Sequence, residues 1–106
     1  MKRSLLFSCL ALSALVPTMA YAYPSCDQAP RRSPASSLPI TMTFHNISTE
    51  SLELDWVDFN GALKSYGMVG SGETKTVDTF AGHVWQWTNT SGACINRYVA
   101  GKQNVK

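Results

Sequence analysis

The residues most chemistry depends on are scarce in this sequence. Its three cysteines, Cys9, Cys26 and Cys94, form neither a CxxC pair nor a Cys/His set at zinc-ligand spacing. No glycine-rich loop runs from a strand into a helix, so there is no phosphate cradle. Charge is sparse, 15% of residues, with a formal net charge of +2. The basic residues are scattered apart from Arg31-Arg32, which excludes the basic stripe that nucleic acid requires. That pair sits in a Pro/Ser-rich stretch and reads as a solvated feature of a linker. The two histidines, His45 and His83, lie far apart, and a metal site built on them lacks a third ligand. Asp55 and Asp58 flank Trp56 and read as solvated carboxylates at a strand end rather than as an acid–base pair. The expectation is therefore no catalytic set, no metal and no cofactor. Repeats and long helical patterns are missing too.

The N-terminus carries a different signal. Lys2 and Arg3 precede an apolar run from Leu5 to Val16, which is too short to span a bilayer. Ala20-Tyr21-Ala22 follows as a small-x-small cleavage site. Residues 1–22 thus read as a secretory signal peptide, residues 23–38 as a Pro/Ser-rich arm, and residues 39–106 as the folded domain. Removing Lys2 and Arg3 from nine basic residues leaves seven against seven acidic ones. The mature protein is expected to be secreted or periplasmic, without stable membrane insertion. Only Cys26 and Cys94 remain in an oxidising compartment, where they should pair. The bond would tie the arm to the last part of the domain and staple a small core.

Beyond the arm, apolar and polar residues alternate. Ile40, Met42 and Phe44 share one face of a strand; Leu52, Leu54 and Trp56 share one face of a second. Asn60-Gly61 signals a hairpin, both residues tolerating positive φ. Further strands are expected at Leu63–Val69, Glu73–Asp78, His83–Thr88 and Ala93–Val99, with a break at Ala81-Gly82. Six short strands with closely spaced turn signals predict an all-β fold, a small antiparallel β-sandwich stapled by one disulfide.

Aromatic residues are the chain's distinctive supply. Trp87 reads as core filling. Trp56, Tyr66, Thr79, His83 and Trp85 fall into a longer pattern. Phe44-x-Asn46-x-Ser48, Trp56-Val57-Asp58-Phe59-Asn60-Gly61, Tyr66, Ser71-Gly72-Glu73 and Thr79-Phe80-Ala81-Gly82-His83-Val84-Trp85 follow in order. From Pro39 to about Ala100 the chain resembles the β-domain of the von Hippel–Lindau tumour suppressor, without a gap from Trp56 to Trp85. In that family the corresponding surface recognises 4-hydroxyproline in a peptide of the hypoxia-inducible factor. The resemblance implies that His83 and Thr79 contact a ligand hydroxyl. Trp85 would floor the pocket, and Trp56 and Tyr66 would wall it. Such a site should penalise plain proline, whose binding would leave buried polar groups unpaired.

The chain also departs from the family. Thr79 replaces a serine, Ala81 a basic residue and Asp78 a histidine, so contacts flanking the pocket should differ. The sequence ends soon after the β-domain, so the family's ubiquitin-ligase partners are not expected. The reading is a secreted, non-enzymatic module that binds a peptide or protein, with hydroxyproline as the specific form of the ligand. Its rivals are a structural or inhibitory sandwich without a working pocket, and a small hydrolase centred on His83. The hydrolase needs a general base with its partner and a nearby nucleophile.

Overall fold

In a computed structural model, residues 21–22 and 26–101 are described. The signal-peptide reading falls almost wholly outside them. Among the described residues there are seven strands: β1 Tyr21–Ala22, β2 Pro39–His45, β3 Leu52–Val57, β4 Leu63–Val69, β5 Thr74–Phe80, β6 Val84–Thr88 and β7 Cys94–Val99. They form two antiparallel sheets, one of five strands in the order β1-β7-β6-β3-β4 and one of two, β2-β5. The chain is an antiparallel β-sandwich with a Cys26–Cys94 disulfide.

The core lies between the sheets. Met42, Phe44 and Val77 from the small sheet meet Leu52, Leu54, Val69, Trp85 and Trp87 from the large one. Phe44 is its centre, with ring centroids 5.7 Å from Trp85, 5.8 Å from Trp87 and 6.0 Å from Tyr98. Trp87 is core, as expected. Asn46, which the aromatic pattern singled out, is a buried tie between turns. Its Nδ2 donates to the carbonyls of Glu50 at 2.8 Å and Val69 at 2.9 Å, and its Oδ1 accepts from the Ser48 amide.

Strand boundaries differ from expectation at both ends of β5 and at the starts of β6 and β7. β5 runs to Phe80, so Thr79 belongs to a strand and faces inward with Val77. The following turn takes up His83, whose amide donates to the Phe80 carbonyl at 3.1 Å; Gly82, at φ 88°, makes the turn possible.

Asp55 and Asp58 are not solvated. Asp55 stands on the face of β3 opposite the core and is 1% exposed. There Thr88 Oγ1 donates to its carboxylate at 2.6 Å, Gln86 donates to Thr88, and Arg97 Nε donates to Gln86. Burial pushes the Asp55 carboxyl up; Thr88 opposes this and Glu53 adds to it. Asp58 organises the β3–β4 connection. Its Oδ1 accepts from the amides of Asn60 and Ala62, both at 2.8 Å, which holds its pKa below the usual carboxylate range. A polar residue alternating in sequence is solvated only if nothing covers its face.

Part of the cover is the Pro/Ser-rich arm. Arg31 and Arg32 are exposed, but Ser33 is buried at 2% exposure. Arg97 Nη1 donates to the Pro30 carbonyl at 2.9 Å, and the arm begins at the disulfide in a short 3-10 turn, Cys26–Gln28. The arm is anchored to the sandwich at Ala29, Ser33 and the Pro30–Arg97 contact, while most of its described residues stay exposed.

Candidate functional site

A hollow of about 280 Å³ opens where the edges of the two sheets part beside β4 and β5. It is lined by Trp56, Phe59, Tyr66, Asp78, Thr79, Phe80, His83 and Trp85. All five residues singled out in the sequence are therefore brought together. The volume suits a single compact side chain better than a drug-sized molecule.

Each wall has a local cause. Trp56 lies on the core-facing side of β3, directly opposite Trp85 on β6. Tyr66 reaches the hollow through a β-bulge. Glu53 pairs with Met68 and Asp55 with Ser65, so Tyr66 and Gly67 together oppose Leu54. Gly67 takes φ 101° there, a conformation other residues avoid. Without the extra residue, Tyr66 and Val69, three apart, would face opposite sides of the sheet. With it, Val69 enters the core and the Tyr66 ring packs edge-on against Trp85 at 4.8 Å. Thr79 crosses from the other sheet.

The sequence reading missed Phe59 and Phe80. Phe59 packs at 5.2 Å from Trp56 and 5.5 Å from His83, held there by the turn that Asp58 caps. Phe80 is 5.5 Å from the His83 ring. Their exposures, 50% and 40%, make them an apolar rim. Both stood inside the quoted motifs, and an aromatic next to a turn was the available signal.

The polar groups of the hollow are mostly paired within the protein. Trp85 Nε1 donates to Thr79 Oγ1 at 3.0 Å. Trp56 Nε1 donates to His83 Nδ1 at 3.2 Å, with the two rings stacked at 5.6 Å. Neutral His83 therefore carries its proton on Nε2, which is buried without a hydrogen-bond partner. The Pro34 carbonyl acts on the ring's charge without making that bond. These pairings revise the expected penalty for plain proline. The two indole N–H groups already occupy His83 Nδ1 and one acceptor site of the Thr79 oxygen, so Thr79 still offers a ligand its hydroxyl proton and its second lone pair. The side-chain partner of His83 is an indole, not a carboxylate, and His45 lines a different hollow.

Burial pushes the His83 imidazole below its ordinary pKa. The unfolded chain accepts a proton near pH 6.5 that the folded protein resists, so this contribution is full above about 6.5 and shrinks as the pH falls. Asp55, shifted the other way, opposes it in the whole protein. The comparison of wild type with His83→Gln isolates the imidazole: their difference in unfolding free energy should shrink between pH 7.5 and 5. A constant difference would contradict the burial argument.

A family model described as VHL beta domain matches residues 31–95, more than half of the chain and every residue lining the hollow. No curated protein matches the sequence.

Proposed function

The chain belongs to the VHL beta domain family, a family of binding domains, and from that premise we propose a secreted or periplasmic, non-enzymatic module that seats one compact ring of an extended peptide, hydroxyproline being the specific form. The observation that carries the reading is the aromatic hollow with one free hydroxyl proton, that of Thr79, at its base. A pyrrolidine ring fits between Trp56, Tyr66 and Trp85, and its hydroxyl accepts from Thr79. The same hydroxyl can donate to His83 Nδ1 by displacing the Trp56 indole. The pairing of His83 with an indole supports a binding role over a hydrolytic one. The Cys26–Cys94 bond supports an oxidising compartment.

Calorimetric titration with matched hydroxyproline and proline peptides tests the reading. One added hydrogen bond is worth about 0.5–1.5 kcal/mol, so hydroxyproline should bind about two- to tenfold more tightly. Thr79→Val, which keeps the shape and removes the hydroxyl, should abolish that preference. Equal binding by wild type would remove the hydroxyproline form, and no binding of either peptide would leave a structural or inhibitory sandwich.

A further inference from the structure

A hollow of about 460 Å³ lies beside the Cys26–Cys94 bond and shares no lining residue with the aromatic one. Asp27 and Arg31 of the arm, Asn60 of the β3–β4 turn and Arg97 of β7 surround it. Two positive charges meet there. Arg97 is partly buried and held in place, its Nε donating to Gln86 Oε1 at 2.8 Å and its Nη1 to the Pro30 carbonyl at 2.9 Å. Three of its five N–H donors remain unclaimed. Burial, and then the charge of Arg31 beside it, push the Arg97 guanidinium below its ordinary pKa. The disulfide holds the arm at Cys26, and the Arg31 carbonyl lies so close to the next turn that a Cβ on Gly61 would stand 3.0 Å from it. The Arg31-Arg32 pair therefore divides, Arg31 lining the hollow and Arg32 not.

Among the described residues no carboxylate is bonded to either guanidinium. Asp27 lines the hollow without pairing, and Asp55 is linked to Arg97 only through Thr88 and Gln86. A partly desolvated cation with a second cation beside it is stabilised by an anion that spans both. The guanidinium fork matches a planar carboxylate, which accepts two parallel N–H bonds. Two arginines against one aspartate leave a single excess positive charge, the complement of one carboxylate. We infer that Arg31 and Arg97 form a carboxylate-binding site, with the Asn60 side-chain amide as a further donor. The ligand is a small free acid or the C-terminal end of a peptide, which present the same two oxygens. This site stands apart from the aromatic hollow and does not rest on the function proposed for it.

The test is a nuclear magnetic resonance titration of the folded, disulfide-bonded protein at constant ionic strength, following the Arg97 Nε–H and Asn60 side-chain amide resonances. Sodium acetate and N-acetylglycine should give saturable shifts with a dissociation constant of about 1–10 mM, the strength of two charge-assisted hydrogen bonds. N-acetylglycinamide, which lacks the carboxylate, should give none. Tighter binding of N-acetylglycine than of acetate makes a peptide end the ligand; equal affinity makes it a free acid. Arg31→Gln should weaken binding about tenfold; its side chain makes no bond within the protein, so the fold should persist. Arg32→Gln removes the same charge one residue away and should leave the affinity unchanged. An equal loss in both variants would show general attraction rather than a site and overturn the inference. No saturable shift with either acid, equal shifts with the amide, or tighter binding of sulfate than of both acids would overturn it as well.

Discussion

Trp85→Ala is expected to lose about 3–5 kcal/mol of unfolding free energy, the usual range for removing a buried tryptophan. The side chain is 1% exposed and packs against Phe44 on one side and Tyr66 on the other. Small domains have about 5–15 kcal/mol in total, so the variant should be largely unfolded at modest temperature. Trp85→Phe separates the two roles of the residue. It retains most of the packing but removes the N–H held by Thr79, and should lose about 1–2 kcal/mol while staying folded. Thr79→Ala, by the same bond, strands a buried indole N–H and should lose about 1–3 kcal/mol. Chemical denaturation of the three variants checks the series. A Trp85→Ala loss within the range of surface substitutions, about 0.5 kcal/mol, would show that the floor of the hollow is not part of the core.

Cys26→Ser with Cys94→Ser should lose about 4 kcal/mol, from the loop entropy released to the unfolded chain. The two residues are 68 apart in sequence. In a domain this size that corresponds to a fall in Tm of some 15–30 °C. The effect should also be local. The bond anchors the start of the arm, and the arm carries the Pro30 contact with Arg97 and the Ser33 bonds to Val57 and Val84. The amides of Ala29 and Ser33 should therefore exchange with solvent before those of β3 and β6. A loss below about 1 kcal/mol would mean that the Ser33 and Arg97 contacts hold the arm without covalent help.

Much of the fold was legible because the relevant patterns are local. Alternation in β2 and β3, the turn glycines and the even count of cysteines left by the predicted leader each follow from neighbouring residues. The family motif also named Trp56, Tyr66, Thr79, His83 and Trp85 in advance. What the sequence left hidden depends on register and cover. Glu53, Asp55 and Val57 alternate with Leu52, Leu54 and Trp56, and that pattern alone reads Asp55 as solvated. Nothing in β3 announces that its second face is buried. The bulge at Gly67 had a signal, a glycine within a strand, but its effect on Tyr66 appears only once the pairing with Leu54 is known.

The sequence by itself determined an all-β domain of the VHL beta type, its disulfide and the membership of the aromatic set, since strand period, turn chemistry and motif spacing are properties of the chain. The tertiary structure decided how those residues are used. It paired each indole N–H with the polar atom that a ligand would otherwise claim, buried Asp55, and tied Ser33 to two strands from 24 and 51 residues away. Contacts between segments so distant depend on which sheet faces meet, and no local pattern encodes that meeting.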